Sequence, residues 1–238
     1  MLRSLVLLSL VAAALPAAAQ PACQGIRCSG HGECLEEDGT PLCFCDEGYS
    51  ADGVRCLRAP ALRPPAPGAA ERAAQLAAAE DGHDLSAVGA GLGPAGTPGP
   101  LALFVRPGGL WCSDFVSWAY RAAGASFTGG YQGGWLLPTN LAIRRWFVRR
   151  DAFVDRDSAE WESFEPRPGD YVRIHTSTWG HSAIVRAVEG RTLHLVEGNA
   201  GGHVRLTVYT RFKDHERIDG FGSFGLAWLT ARTRGRRS

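Results

Sequence analysis

The isolated thiol of Cys112 is the residue whose type and context most clearly suggest chemistry. Six of the seven cysteines lie between positions 23 and 56, whereas Cys112 stands alone in the run Trp-Cys-Ser-Asp-Phe-Val-Ser-Trp. A thiol nucleophile needs a base, and the base needs a third group that orients it. Far downstream, the sequence supplies His181 in Gly-His-Ser-Ala-Ile-Val and Glu197 in Glu-Gly-Asn. Together these residues predict a cysteine hydrolase.

The cysteine is predicted to lie in the first turn of a helix. Apolar residues recur every three or four positions from 111 to 123, which is the spacing of a helix with one buried face. At the start of a helix, unpaired N–H groups and the positive end of the dipole favour a thiolate, the form that attacks a carbonyl. The alternative is that Cys112 is a small buried apolar residue without a chemical role. We favour the nucleophile, because an alanine would fill the same space without the hazard of oxidation.

A predicted hairpin brings the candidate base close to its orienting group. Residue patterns and turn signals indicate three strands: residues 171–174, 181–188 and 191–197. If the hairpin loop has three residues and Gly190 takes the left-handed conformation, Ala187 pairs with Arg191. His181 then lies directly opposite Glu197, with Cβ atoms about 4.5–5.5 Å apart. At that distance a carboxylate can hold an imidazole in one tautomer.

Other residues compete for these roles. His175 is a second candidate base, but it lies near a turn and has no acidic partner in the predicted register. His194 has the opposite parity to Glu197 and should face the other side of the sheet. Glu197 itself could be a solvated charge at a strand end. Its position after two leucines on the same inward face argues against that alternative.

Residues 1–19 have the charged, apolar and small-residue zones of a secretory signal peptide. The apolar run from Leu5 to Leu15 is shorter than the roughly 20 residues needed to cross a bilayer. We therefore expect a secreted protein, extracellular or periplasmic, with no transmembrane segment after cleavage. The formal net charge of +1 gives no indication of nucleic-acid binding.

Residues 22–57 predict a small disulfide-rich module. The spacing is Cys-x4-Cys-x5-Cys-x8-Cys-x-Cys-x10-Cys, in a segment too short to bury a core. Spacing alone permits about fifteen connectivities. With its turn glycines, however, the pattern closely resembles an EGF-like module. The resemblance implies the disulfides Cys23–Cys34, Cys28–Cys43 and Cys45–Cys56, and we expect this module to bind a protein or surface partner.

A zinc site is the competing use of clustered cysteines. Cys-x-Cys without a second close pair is poor spacing for zinc, and an exported chain favours disulfides. The segment before Cys23 also lacks the acidic residues that calcium-binding EGF-like modules carry. We therefore expect neither a metal nor a cofactor.

Composition divides the remainder of the chain. Residues 58–68 are rich in proline and alanine, which is typical of a semi-rigid linker between independently folded domains. Residues 69–228 are predicted to form the catalytic domain, beginning with an alanine-rich helix at 69–79. Residues 229–238 form a basic tail, expected to be a solvated terminus.

Four motifs in order resemble the CHAP family of cysteine, histidine-dependent amidohydrolases/peptidases, which is related to the NlpC/P60 and papain-like hydrolases. They are Trp-Cys-Ser-Asp-Phe-Val-Ser-Trp, Pro-Gly-Asp-Tyr-Val, Gly-His-Ser-Ala-Ile-Val and Glu-Gly-Asn. The resemblance implies an α+β fold, in which the cysteine helix packs on an antiparallel sheet. It implies Cys112 as nucleophile, His181 as base, and Glu197 with Asn199 in the third polar position. It also implies cleavage of peptidoglycan amide bonds, either as an N-acetylmuramoyl-L-alanine amidase or as an endopeptidase.

Three aromatic residues are candidates for a sugar or peptide groove: Tyr131, Trp135 and Trp179. Core packing is the alternative role for at least some of them. Two other functions stay open beside the peptidoglycan hydrolase. One is a non-catalytic surface protein in which the EGF-like module adheres and the CHAP-like part binds without cutting. The other is a thiol amidase that acts on a different amide, such as a peptide conjugate.

Overall fold

The structure, a computed structural model, describes residues 21–37, 39–59, 65–82, 110–176 and 180–227. The predicted signal peptide, residues 60–64 of the predicted linker and the basic tail lie outside these ranges. Within them, no helix combines the length and the apolar character that crossing a membrane requires.

Two short hairpins and three disulfides build the N-terminal module. Single 3₁₀ turns at Pro21–Cys23 and Cys28–Gly30 precede the strands β1 (Gly32–Glu37), β2 (Thr40–Cys45), β3 (Tyr49–Asp52) and β4 (Arg55–Arg58). Strand β1 pairs with β2, and β3 pairs with β4, both antiparallel. The disulfides are Cys23–Cys34, Cys28–Cys43 and Cys45–Cys56, the pairs that an EGF-like module implies. Cysteines make up most of the small buried centre, so crosslinks replace a larger core.

Three helices and a six-stranded sheet form the second part of the molecule. The helices are α1 (Ala69–Ala78), α2 (Cys112–Ala122) and α3 (Asn140–Val148). The strands are β5 (Phe153–Asp155), β6 (Tyr171–His175), β7 (Gly180–Glu189), β8 (Thr192–Ala200), β9 (His203–Thr210) and β10 (Ile218–Gly222). Their order across the sheet is β5-β10-β6-β7-β8-β9, and all neighbours are antiparallel. The predicted α+β class, with a cysteine helix on an antiparallel sheet, is confirmed.

Apolar side chains cover both faces of this sheet. On the helix side, Ile184 and Val196 belong to the larger core, together with the aromatic residues of the helices. On the opposite side, Val185 and Leu195 join a second core around Phe221. Because successive strand residues point to opposite faces, the same short runs of β7 and β8 supply both cores. The two strands that carry the candidate base and carboxylate are thus packed from both sides.

Helix α2 is buried more completely than its sequence predicts. Every residue from Cys112 to Tyr120 is buried, not only one face. The reason is that α2 lies against α1, α3 and the strands β7 and β8. Its interior hydroxyls have partners: Ser117 Oγ donates to the Leu137 carbonyl and accepts from the Leu137 amide, at 3.2 and 3.1 Å. The start of the cysteine helix therefore lies in the interior.

The predicted register between β7 and β8 is wrong by two residues near the site. Glu197 lies opposite Ala183, and not opposite His181. Two local features account for the shift: the loop has two residues instead of three, and a bulge at Arg186 adds one residue to β7. Residues two apart along a strand share a face, so His181 and Glu197 still project from the same side.

The N-terminal module packs directly onto the helical part. Leu35 and Phe44 of the module lie in the same core as α1, α2 and α3. Backbone amides of the module also donate to the loop after α2: Cys45 N to Gly129 O at 2.8 Å, and Ala51 N to Gly130 O at 2.7 Å. The linker composition predicts independently folded domains, whereas these two parts share a core.

Helix α3 provides the polar part of this contact. The carboxylate of Glu33 accepts from Nε and Nη2 of Arg145 at 2.8 and 3.0 Å, and from Nη2 of Arg149 at 3.0 Å. The guanidinium of Arg149 also lies 4.4 Å from the centre of the Phe44 ring. One acidic residue of the module thus joins an arginine in the last turn of α3 and the arginine that directly follows the helix.

Candidate active site

Cys112 is the first residue of α2, and its side chain lies in the interior. The residue is 6% exposed, and it is the free cysteine of the chain. Helical hydrogen bonding begins with Phe115 N, which donates to Trp111 O at 3.0 Å. The Cys112 amide precedes that bond and takes no part in the helical ladder. It can therefore donate to a negatively charged oxygen that forms beside the sulfur.

The ring of His181 lies between the thiol and a carboxylate. Its Nε2 donates to Oε2 of Glu197 at 2.9 Å, and a second hydrogen bond joins the imidazole to Cys112. Because Nε2 is engaged by the carboxylate, Nδ1 is the nitrogen left for the thiol. Both members of the His–Glu pair are largely shielded from water. The structure thus brings together three of the predicted site residues.

Electrostatics favour a charge on both members of the His–Glu pair. Burial lowers the pKa of His181, but the hydrogen bonds and negative charges of Cys112 and Glu197 outweigh burial and raise it to about 9. Burial raises the pKa of Glu197, but the hydrogen bond and charge of His181 hold it below its usual value. An imidazolium is therefore the stable form of His181 at neutral pH, and it lies beside the ionised carboxylate of Glu197.

A pair of buried serines ties the nucleophile's helix to the base's strand. Ser113 follows the nucleophile and Ser182 follows the base, and their Oγ atoms are 2.9 Å apart. Ser182 also lies 3.2 Å from the hydroxyl of Tyr171. Both serines are almost fully buried, so their hydroxyls depend on one another for hydrogen bonds. This contact fixes the start of α2 against β7.

Two glycines in the motifs permit close packing at the site. A Cβ on Gly198 would lie 2.5 Å from the Cβ of Phe115, so only glycine lets α2 approach β8 this closely. A Cβ on Gly180 would lie 2.1 Å from Oδ1 of Asn140, at the start of α3. Gly198 therefore sets the distance between α2 and β8, whereas Gly180 leaves room for the side chain of Asn140.

Strand β9 adds two residues that the sequence analysis missed. Thr207 Oγ1 donates to Oε1 of Glu197 at 2.5 Å, and the side chain of Tyr209 also hydrogen-bonds to this carboxylate. The alternation of β9 would not have revealed them, because its apolar residues Leu206 and Val208 are the exposed ones, at 39% and 59%. Only the register with β8 reveals that the threonine and tyrosine face the carboxylate.

The two described residues of the predicted groove make other contacts. Trp135 is 4% exposed, and the guanidinium of Arg121 lies 4.4 Å from its ring centre. The hydroxyl of Tyr131 donates to Gly53 O of the N-terminal module at 2.9 Å. Trp179 is outside the described residues. Core packing, the alternative that the sequence left open, describes Trp135, whereas Tyr131 contacts the N-terminal module.

The competing polar residues do not reach the imidazole. His175 is exposed at the end of β6, and His194 contacts Glu189 at 3.4 Å. Asn199 lies at an irregular end of β8 with φ of 61°, and no described hydrogen bond joins it to His181. Between the two candidates for the third polar position, the structure places Glu197 beside the base.

Potential metal ligands were found together at one place in the described part of the chain. Cys28, Cys43 and Cys56 are close enough to share an ion, but all three are bound in disulfides. Their sulfurs are therefore already bonded, and they lie in the module that carries none of Cys112, His181 and Glu197.

Known proteins provide an independent comparison. The family model of the CHAP domain matches residues 105–199, and no curated protein matches the chain significantly. The crystal structure of Ly7917 with the hydrolyzing product of MDP aligns at 18% identity and a TM-score of 0.36. A second crystal structure of Ly7917 aligns at 20% identity and a TM-score of 0.34. Each alignment covers 64% of this chain and 61% of the Ly7917 chain.

The matched range contains the whole arrangement described above. It begins before α2 and ends within β8, so it includes Cys112, His181 and Glu197. The N-terminal region outside it holds the three disulfides. Residues 105–199 therefore match the CHAP domain, and they are preceded by a disulfide-rich region consistent with an EGF-like module.

Proposed function

We propose that this protein is a secreted cysteine amidohydrolase or peptidase that cleaves amide bonds in peptidoglycan. One observation carries the proposal: His181 is hydrogen-bonded both to the thiol of Cys112 and to the carboxylate of Glu197. A nucleophile, a base and an orienting group in that order are what acyl transfer by a thiol requires. The three disulfides suit an oxidising compartment, which supports export.

Acylation begins at the sulfur. The thiolate of Cys112 attacks the amide carbonyl carbon, a C–S bond forms, and the carbonyl oxygen becomes negatively charged. The Cys112 amide at the start of α2 donates to that oxygen. The imidazolium of His181 gives its proton to the leaving nitrogen as the C–N bond breaks. The products of this step are a free amine and a thioester on Cys112.

Deacylation uses the same residues in reverse. Neutral His181 takes a proton from water, whose oxygen attacks the thioester carbon. The C–S bond breaks, the carboxylic acid leaves, and the thiolate–imidazolium pair is restored. Glu197 stabilises the imidazolium throughout and keeps its own negative charge, because its pKa lies below the usual value.

Peptidoglycan is proposed because the CHAP resemblance implies it, and mass spectrometry of the digest tests it. The full secreted chain is incubated with purified peptidoglycan beside its Cys112→Ala variant. A new amino-terminal L-alanine with a free lactyl carboxylate identifies an amidase, whereas a new amine within the peptide identifies an endopeptidase. If no product depends on Cys112, peptidoglycan is not the substrate. Binding without cleavage would instead favour the adhesion function.

A further inference from the structure

We propose that Thr207 and Tyr209 of β9 are positioning residues that hold the carboxylate of Glu197 against His181. This inference rests on the proposed function, because it assigns a role within that same site. Neither residue belongs to the four motifs that carry the family resemblance. Their role follows from where β9 places their hydroxyls.

The first line of evidence is the division of hydrogen bonds at the carboxylate. Oε2 of Glu197 accepts from His181 at 2.9 Å, and Oε1 accepts from Thr207 at 2.5 Å. Tyr209 adds a further hydrogen bond to the same group. Donors on both oxygens fix the rotation of the carboxylate, which leaves Oε2 directed at the imidazole.

The second line of evidence is burial. Glu197 is 5% exposed, and burial alone favours a neutral carboxyl group. A neutral carboxyl would not stabilise an imidazolium. Hydrogen bonds to the ionised form oppose that tendency, because each donor favours the charged state. The hydroxyls of Thr207 and Tyr209 therefore supply part of what keeps the group ionised.

The third line of evidence is the geometry of β9. Leu195 pairs with Thr207, so this threonine lies diagonally across from Glu197 on the neighbouring strand. Tyr209 lies two residues further along the same face and reaches back with its longer side chain. The adjacent Thr210 is exposed on the opposite face, which makes it a matched control on the same strand.

Titratable or charged groups from three elements lie around the pair and its supporting tyrosine. Cys112 of α2 and Tyr209 of β9 interact with the His–Glu pair itself, and Arg205 lies opposite Glu197 in the register. His215 and Arg217, from the turn before β10, interact with Tyr209. Burial and the charge of Glu197 raise the pKa of Tyr209 to about 12, although Arg217 opposes the rise. The phenol therefore stays protonated and donates throughout the range in which His181 titrates.

Variants that remove one hydroxyl each test the assignment. Thr207→Val and Tyr209→Phe preserve shape but remove the donors, Thr207→Ser retains the hydroxyl, and Thr210→Val is the control. The midpoint of the His181 ring is measured by NMR titration, with His181→Ala used to assign its signal. We expect both donor-removing variants to lower this midpoint by about 0.5–1 pH unit. Their kcat/KM should fall about tenfold, whereas Thr207→Ser and Thr210→Val should resemble the wild type.

The titration separates this inference from the proposed function, because it needs no turnover. A His181 midpoint that stays at the wild-type value in both variants would overturn the positioning role, whatever the protein hydrolyses. A lowered midpoint in a protein that cleaves no amide would support the positioning role and overturn the proposed function. Loss of activity in Thr210→Val to the same extent as in Thr207→Val would show that packing of β9, and not the hydroxyl, accounts for the effect.

Discussion

His181 favours the protonated form although burial opposes a charge on its ring. Two acidic neighbours explain this: the thiol of Cys112 on one side and the carboxylate of Glu197 on the other raise its pKa to about 9. A protonated imidazole is the acid that the leaving amine requires in the proposed mechanism. The pKa of His181 therefore sets the range of pH in which this protein should act.

The alkaline limit of activity follows from that value. As pH rises through about 9, His181 loses its proton, so kcat/KM should fall with a midpoint near 9. Glu197→Gln removes a negative charge that stabilises the imidazolium, so the midpoint should move to lower pH. Profiles of kcat/KM between pH 6 and 10 measure both effects. An alkaline midpoint that Glu197→Gln leaves in place would show that this carboxylate does not control the base.

The sequence alone predicted the nucleophile, the base and the carboxylate of the site, but not the residues that contact the carboxylate. Cys112, His181 and Glu197 stand in motifs whose residue types signal chemistry. Thr207 and Tyr209 carry no such signal, because threonine and tyrosine are ordinary strand residues. Their contact with Glu197 depends on the pairing of β8 with β9, which the sequence did not establish.

Close packing between α2 and the sheet determines where the thiol lies relative to the base. The absence of a side chain at Gly198 lets Phe115 of α2 rest on β8, and the Ser113–Ser182 contact ties α2 to β7. These are contacts between elements, so they act on Cys112 by placing its whole helix. Loss of the Gly198–Phe115 contact or of the Ser113–Ser182 contact should therefore lower activity, although neither contact involves a reacting group.

Gly198→Ala tests the spacing of these elements. Its new Cβ would meet Phe115 at 2.5 Å, so α2 must move away from β8. We expect a loss of about 1–3 kcal/mol in the free energy of unfolding and a clear fall in kcat/KM. Gly225→Ala is the control, because a Cβ there meets nothing within 4 Å. Urea unfolding and steady-state kinetics measure the two effects, and equal behaviour of both variants would contradict the account.

Element bounds were more predictable than element pairing. The apolar spacing predicted a helix over 111–123, and the structure has Cys112–Ala122. The three strands of the site were also predicted within a few residues. Their register was not, because the bulge at Arg186 and the two-residue turn leave no clear mark in a single sequence.

The N-terminal module and the part of the chain that carries the candidate site form a continuous packed body among the described residues. Leu35 and Phe44 of the module share the core of the helices, and Glu33 joins two arginines at the end of α3. The other end of α3 begins at Asn140, which packs against Gly180, the neighbour of His181. Docking of the module therefore supports the helix that also lies against the active-site strand.

Glu33→Gln tests the contribution of this docking. The substitution preserves the shape of the side chain but removes the charge that Arg145 and Arg149 share, so the free energy of unfolding should fall by about 1–2 kcal/mol. Glu47→Gln is the control, since its contact with Arg150 at 3.7 Å is largely exposed and should contribute little. Urea unfolding of both variants provides the comparison. No difference between them would mean that the module is attached without stabilising the domain.

Composition predicted the existence of two parts but not their contact. Prolines in the linker favour an extended spacer, and a spacer alone predicts independent domains. Docking instead depends on how the surface around α3 matches the module, including the carboxylate of Glu33 and the ring of Phe44. Such complementarity arises from residues about a hundred positions apart, which local patterns do not reveal.

The most direct test of the central claim is kcat/KM on one amide substrate for the wild type and three variants. Cys112→Ala should abolish turnover, because no other group can form the thioester, and His181→Ala should lower it by about 10²–10⁴. His175→Ala should retain most activity, because its side chain is exposed at the end of β6. Circular dichroism confirms that each variant is folded. Turnover that survives Cys112→Ala, or that depends on His175 and not on His181, would contradict the account.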